Sequence, residues 1–587
     1  MKRFLLVTMA LLSSFTSFLS PLFAKQTREV HLRWIHTSDV HGALFGYDFL
    51  RQNPTTGGLS SIYAIVKQQR DEMGDRLIFT DGGDCLQGQP TAYYYNFVDT
   101  VSPHLVAEVM NSMGYVCGAI GNHDIETGHE VYDRWISQCH FPILGANVID
   151  VKTGKPYLKP YTIIEREGVR IAILGMLTPA IPNWLPERMW EGLRFEEMVT
   201  SARKWMKVIQ KQEKPDLIVG LFHSGYDGGI VTPEYRENAV RQVAEQVPGF
   251  DLICYGHDHQ AATHYMKNRD GGPVLVMAPT SDGKRVAIAD IELSISKGRV
   301  VGKKISANVP FVANESPALV KEFEQRFAIQ RDTITKWVNQ PIGTLASPLW
   351  EREAFFGPSE FIDLIHQMQL DLTGADVSFV APLSFDSRLH KGTIRVSDMF
   401  ALYKYENLLY TMRMTGREIK NFLEMSYGMW TNQMKGPDDH ILLLDNNLDN
   451  GRRNGLKNLS FNMDSAAGII YTVDVSKPEG ERINIQSMAD GSPFDLNREY
   501  KVAVNSYRGN GGGELMTRGA GIPHEELANR MITSTDKDLR YYLMQRIIEQ
   551  KTVVPRCLHQ WRFIPEEWAQ PAIARDRLIL FPNSHPQ

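Results

Sequence analysis

Leu77-Ile78-Phe79-Thr80-Asp81-Gly82-Gly83-Asp84 is a short apolar run that stops on two glycines and an acid. Its length and composition predict a buried strand, and the glycines predict the turn that ends it. Asp84 is thereby delivered at a strand end. Four other runs share this design. Asp39-Val40-His41 follows the apolar run 30–35, and Gly121-Asn122-His123-Asp124 follows 116–120. His223, in Phe222-His223-Ser224-Gly225, follows 217–222, and Gly256-His257-Asp258-His259 follows 252–255. Further strand-type runs lie at 143–146, 169–175 and 274–277, and 286–296 reads as a closing strand.

Helical spacing fills the gaps. Leu59, Ile62, Ile65 and Val66 share one face over 59–70, and Met198, Ala202, Trp205, Met206 and Ile209 do so over 196–212. Strand alternating with helix predicts an α/β layered domain, with its chemistry on loops at strand ends.

The chain has 587 residues, more than one core organises, so at least two domains are expected. Its 43% apolar and 22% charged content is that of a globular protein. A net charge of −5 gives no basic face for a nucleic-acid polymer. A small phosphorylated substrate stays open, because bound cations reverse the local field. Five cysteines, Cys85, Cys117, Cys139, Cys254 and Cys557, contain no Cys-x-x-Cys pair and are expected to be buried apolar residues with at most one bridge.

The start of the chain reads as a signal peptide over residues 1–24. Lys2-Arg3 precede an apolar and hydroxyl run, and Ala24 offers a small residue for cleavage. A periplasmic or secreted protein without stable membrane insertion is expected. The first domain is placed at 25–309. A linker helix is placed at 310–340, with Leu319, Phe323, Phe327, Ile334 and Trp337 on one face. The second domain is placed at 341–565. It opens with a helix at 359–373, a run at 377–381 and one at 397–403. Strand-like runs follow at 469–475, 483–485 and 500–505, with Gly511-Gly512-Gly513 as a loop. Residues 566–587 form a tail expected to pack on the surface.

Asp39, His41, Asp84, Asn122, His223, His257 and His259 supply carboxylate, amide and imidazole donors at five strand ends. They suffice for two divalent ions of about four protein ligands each, with Asp84 shared. Two such ions activate a water as nucleophile and offset charge on a phosphoryl group. The mixed donor set suits zinc, manganese or iron.

These five blocks, in this order, resemble the calcineurin-like metallophosphoesterases. With its long second domain the chain is similar to the bacterial 5′-nucleotidase and 2′,3′-cyclic-nucleotide 2′-phosphodiesterase family, which includes UDP-sugar hydrolases. The resemblance implies a layered β-sandwich domain flanked by helices, followed by a smaller α+β substrate-binding domain. It implies that Asp39, His41, Asp84 and His259 hold one ion, and Asp84, Asn122, His223 and His257 the other. His123 would stabilise the phosphoryl group or protonate the leaving oxygen. Relatives orient that histidine with an Asp; this chain has Glu126 there, with Asp124 as the alternative partner. Asn505-Ser506-Tyr507-Arg508-Gly509-Asn510 resembles the family's base-binding loop, in the form seen in the cyclic-phosphodiesterase branch. It implies Tyr507 and Phe461 as stacking residues, with Asn505 and Asn510 beside them, and Arg388 on the phosphate. Asn407 falls in a following family block.

The resulting expectation is a secreted metal-dependent nucleotide phosphohydrolase, acting on 5′-nucleotides, 2′,3′-cyclic nucleotides or both, through a hydroxide bridging two ions. The alternatives are a hydrolase of UDP-sugars, other phosphoesters or thiosulfate-type compounds on the same fold, and, from another class, a nucleotide-binding protein with a decayed site.

Overall fold

The computed structural model describes residues 27–313 and 316–582. The expected signal peptide lies outside them. The first domain is built on two six-stranded sheets packed face to face. One runs in the order Arg299–Asn308, Ala287–Ser296, Arg28–Thr37, Leu77–Asp81, Cys117–Ala119, Ile143–Leu144. Its last four strands are parallel. The other runs Ala262–Lys267, Pro273–Ala278, Leu252–Tyr255, Leu217–His223, Val169–Leu177, Tyr161–Arg166, with its four central strands parallel.

Strand alternation sorts the apolar side chains into layers. Leu32, Trp34, Ile78 and Cys117 enter the layer between the sheets, where they meet Ile171, Val219 and Cys254. Ile35 and Phe79 point the other way, into a core shared with the helices Gly58–Met73 and Leu105–Met113. Ala172, Leu174 and Ile218 face the helices Met198–Gln212 and Val240–Gln246. The result is helix, sheet, sheet, helix. All five cysteines are free thiols.

Parallel strands align their carboxyl ends, which is where open α/β sheets place their chemistry. The loops after Arg28–Thr37, Leu77–Asp81, Cys117–Ala119, Leu217–His223 and Leu252–Tyr255 therefore open on one rim.

Residues 310–340 hold two helices, Pro317–Arg326 and Ala328–Val338. Phe323, Phe327, Ile334 and Val338 are buried in the first domain's core, so these helices pack there instead of bridging through solvent. Beyond them a five-stranded sheet runs Ser465–Ala467, Val377–Val380, Glu499–Asn505, Leu408–Thr415, Met531–Asp538. The helices Glu360–Thr373, capped by Ser359, and Gly416–Trp430, capped by Thr415, pack on it.

The tail carries the helix Glu566–Leu580 in spite of Pro571. Its fully buried Asp576 accepts from the Ile441 and Leu442 backbone N–H groups at 2.8 and 2.9 Å. Arg577 pairs with both oxygens of Glu353 at 2.5 and 2.7 Å. No helix among the described residues is long and apolar enough to cross a membrane.

The domains meet through Tyr93, Val396 and Phe400, with Trp337 against them. The Tyr93 hydroxyl donates to Asp538 at 2.9 Å, and the Arg540 guanidinium lies over the Tyr93 and Phe400 rings.

Candidate metal centre and substrate cleft

The strand-end loops are held in an unusual backbone state. Asp39, His41, Asp84, His257 and His259 all have positive φ, between 50° and 82°. For residues with a Cβ this left-handed conformation costs about 1–3 kcal/mol each and persists only where the surroundings over-determine it. Here they do. Asp39 N–H donates to the Gly83 carbonyl and His41 N–H to the Asp84 carbonyl, both at 2.9 Å. His257 N–H donates to the Asp39 carboxylate at 3.0 Å. Two glycines allow the close approach. A Cβ on Gly121 would lie 2.1 Å from Asp84 Oδ1, and one on Gly256 would lie 1.8 Å from Ser38 Oγ.

All seven expected ligands converge. Asp39, His41 and His259 bring ligand atoms within 4.8 Å of one another, and so do Asp84, His223 and His257. Asn122 joins the second group: its Oδ1 lies 2.8 Å from His257 Nδ1 and 3.0 Å from His223 Nε2. His223 Nε2 is also 3.2 Å from Asp84 Oδ2. In the first group His259 Nε2 lies 3.1 Å from His41 Nε2 and 3.3 Å from Asp39 Oδ1.

The far nitrogens set the tautomers. His223 Nδ1 donates to the Gly82 carbonyl at 2.7 Å, His41 Nδ1 to the Gln87 carbonyl at 3.2 Å, and His257 Nε2 to Glu237 Oε1 at 3.1 Å. Neutral rings anchored this way turn bare lone pairs inward. In the second group an amide oxygen, two imidazole nitrogens and a carboxylate then face one point with no donor among them. Such a set fits a divalent cation.

Burial favours neutral Asp39 and Asp84, yet the neighbouring histidines hold both carboxyls below their ordinary range. Burial opposes charge on His223, but the Asp84 carboxylate outweighs it and lifts its pKa to about 10, so without a cation Nε2 keeps a proton facing Asp84, which a bound cation would displace. His41 is pushed down to about 4 by burial, which suits a neutral ligand.

His123 stands beside this centre, its ring 5.5 Å from that of His41. Its backbone N–H donates to Asp84 Oδ1 at 2.8 Å, and its Nδ1 meets Glu126 Oε2 at 2.5 Å. Burial works against its charge, but Glu126 and Asp84 lift its pKa to about 9. The longer side chain of Glu126 therefore reaches the histidine. Asp124 is engaged elsewhere. Fully buried, it accepts from the backbone N–H groups of Asp84, Cys85, Leu86 and Gly121 at 2.8–3.0 Å. It ties together the two loops that carry Asp84 and His123.

A cleft of about 350 Å³ opens over the centre, with one wall from each domain. Asp84, Asn122, His123, Glu126, His257 and His259 lie on the first wall, with Trp184 and Glu237. Leu383, Tyr405, Asn407, Phe461, Asn505 and Tyr507 form the second. Phe461 and Tyr507 are thus brought together, but their rings are perpendicular with centroids 6.1 Å apart. A planar base sandwiched by both would need them parallel. In this arrangement one face is offered for stacking, with the other ring as an edge.

Other expected residues take different places. Asn505 lines the cleft while its Oδ1 caps the turn at Arg508 N–H, 2.8 Å away. Asn510 sits at the domain junction, its amide donating to the Trp184 carbonyl at 3.1 Å. Arg388 lies away from the cleft, with its guanidinium 5.3 Å from the Trp350 ring.

Sequence reasoning missed Trp184, Tyr405, Glu237 and the buried Arg508–Asp464 pair. Arg508 donates to Asp464 Oδ2 at 2.8 Å and to the Phe461 carbonyl at 2.7 Å, so it joins the two aromatic loops from behind. The Asn-x-Tyr-Arg run drew attention to Tyr507, and its neighbour could have been found there. Trp184 and Glu237 lie in irregular or hairpin segments without a periodic signal.

Comparison with known proteins follows the same division. Residues 32–261 match the calcineurin-like phosphoesterase family model, and residues 341–518 match the 5′-nucleotidase C-terminal domain. A 2′,3′-cyclic-nucleotide 2′-phosphodiesterase/3′-nucleotidase of Yersinia enterocolitica is 26% identical, over 96% of this chain and 92% of the relative. The trifunctional nucleotide phosphoesterase protein YfkN of Bacillus subtilis is 26% identical over 93% of this chain, which spans only 40% of that protein's length. Among solved structures, the 5′-nucleotidase precursor from Thermus thermophilus shares the fold at a TM-score of 0.61 and 20% identity, covering 92% of this chain and all of that one.

Proposed function

This chain belongs to the calcineurin-like phosphoesterases that carry a 5′-nucleotidase C-terminal domain, and we propose that it hydrolyses nucleotide phosphoesters, 2′,3′-cyclic nucleotides and the resulting 3′-nucleotides foremost. The observation that carries this reading is the convergence of seven acceptor side chains under a cleft whose opposite wall is aromatic. The nucleotide preference follows the relatives of matching length and the Tyr507-Arg508 loop.

Asp39, His41, Asp84 and His259 would hold one ion, and Asp84, Asn122, His223 and His257 the other. When bound, such ions lower the pKa of water and neutralise phosphoryl charge. Zinc, manganese and iron all suit the donors.

The chain's own residues do the rest. Tyr507 and Phe461 take the base and leave the phosphoryl group facing Asp84 and His123. Water attacks phosphorus opposite the leaving ribose oxygen and releases a proton to solvent, and the P–O bond to that oxygen breaks. His123, kept protonated through Glu126, gives its Nε2 proton to the leaving oxygen, which departs as a hydroxyl. The ring recovers a proton from solvent before the next turnover. Lys2-Arg3 and the apolar run behind them support a periplasmic or secreted location.

The test is a substrate panel against defined metals: 2′,3′-cyclic AMP, 3′-AMP, 5′-AMP and UDP-glucose, with zinc, manganese or iron. The cyclic nucleotide and 3′-AMP are expected to have the highest kcat/KM. A preference for UDP-glucose would replace this reading with the sugar-nucleotide alternative.

A further inference from the structure

Glu237 belongs to none of the five strand-end runs. It lies on the short strand Arg236–Asn238, paired with Gly228–Val231 in a hairpin between the His223 and His257 loops. The hairpin is fastened to those loops. The Ser224 hydroxyl donates to the Glu237 carbonyl at 2.8 Å, and so does that of Thr178 at 2.9 Å. Asn238 Oδ1 accepts from Gly225 N–H at 3.0 Å.

Both carboxylate oxygens of Glu237 are engaged. Oε2 accepts from Ile230 N–H at 2.7 Å, and Oε1 accepts from His257 Nε2 at 3.1 Å. The opposite nitrogen of that ring, Nδ1, points at Asn122 Oδ1. On its other side the ring packs against Trp184, with centroids 5.6 Å apart.

We propose that Glu237 is a positioning residue for the Asp84–His223–His257 half of the centre: it fixes the tautomer and ring plane of His257 and places a second negative charge behind that half. This rests on the reading that these side chains hold two cations. The physical reason is simple. Imidazole can offer its Nδ1 lone pair only if its proton stays on Nε2, and a fixed carboxylate at Nε2 enforces that while making Nδ1 a stronger donor. In the other half His41 Nδ1 leans on the neutral Gln87 carbonyl, and the Asp282 carboxylate acts on that ring through space. The two halves are therefore supported in different ways.

The experiment uses the full chain stripped of metal and titrated with manganese, alone and in competition with a chelator. Binding is followed by calorimetry and by the electron paramagnetic resonance signal of the coupled ion pair. The parent should bind two ions. Glu237→Ala should bind one ion as the parent does and the second about 10- to 100-fold more weakly, and the coupled signal should give way to that of isolated ions at intermediate loading. Glu237→Gln keeps an acceptor for His257 but turns its amide toward Ile230 N–H, so its second affinity should lie between the two. That graded rescue would not follow from a general loosening of the hairpin. Unfolding temperature of the metal-free proteins checks that the fold survives. If the parent binds fewer than two ions, the two-cation reading fails. If the parent binds two and Glu237→Ala binds both with parental affinity, the role assigned to Glu237 is wrong.

Discussion

The two walls of the cleft are made in different ways. On the first wall the candidate ligands hang from five strand-end loops, three of which carry left-handed residues locked by hydrogen bonds to their neighbours. On the second wall the aromatic rings ride on an irregular turn and on the loop behind Phe461, joined by the buried Arg508–Asp464 pair. Ions demand fixed geometry, whereas a base will stack on any exposed ring face. Damage to the first wall should therefore abolish turnover, and damage to the second should shift substrate affinity.

The largest effect is expected from Asp84. Its carboxylate belongs to the His223 and His257 group and receives the His123 N–H, while its backbone carbonyl accepts from His41 N–H in the other group. Asp84→Asn should weaken both ions together and lower phosphate release by at least about 10²–10³-fold. Metal content measured alongside turnover checks this; loss of one ion with the other retained would break the shared-ligand account.

Next comes His123→Ala, expected to lower kcat by about 10²–10⁴-fold with metal content unchanged. Loss of metal in that variant would mean His123 belongs among the ligands. On the second wall, Tyr507→Ala should raise KM roughly tenfold and leave kcat near the parent's. A fall in kcat with KM unchanged would erase the contrast between the walls. Arg388→Ala, away from the cleft, should stay within about twofold of the parent in both constants.

The smallest effect concerns stability, and here the domains behave alike. His104 in the first and His366 in the second are buried and hydrogen-bonded, and burial pushes both down to about 3. Each keeps the folded state neutral while the unfolded chain takes a proton below its ordinary 6.5. Stability is thus full above pH 6.5 and falls as pH drops from there toward 3. Unfolding temperature followed across that range should decline, and His366→Gln should flatten the decline.

The same contrast explains what could be read in the chain beforehand. Asp39, His41, Asp84, Asn122, His223, His257 and His259 stand next to apolar runs whose strand character is local, so ordinary parallel pairing gathers them on one rim. The helix Met198–Gln212 was legible for the same reason, from the spacing of its apolar positions. Residues 310–340 show a limit: one amphipathic stripe gave no sign that a break near Phe327 makes two helices, or that both dock on the first domain. The second wall depends on contacts distant in sequence. Whether an arginine faces substrate or serves as a buried strut is decided by partners such as Asp464, 44 residues away from Arg508. Motif position alone led to Arg388. Glu126 was legible as a departure from the family pattern, and only the 2.5 Å contact shows that the longer carboxylate closes the pair.

The most direct test of the central claim is phosphate-ester hydrolysis by chelator-stripped protein. Cleavage of 2′,3′-cyclic AMP is measured after stripping and again as manganese or zinc is added back. The account predicts no turnover when stripped, and full recovery as loading reaches two ions per chain. Turnover that survives complete removal of metal, or that recovers fully at one ion per chain, would contradict it.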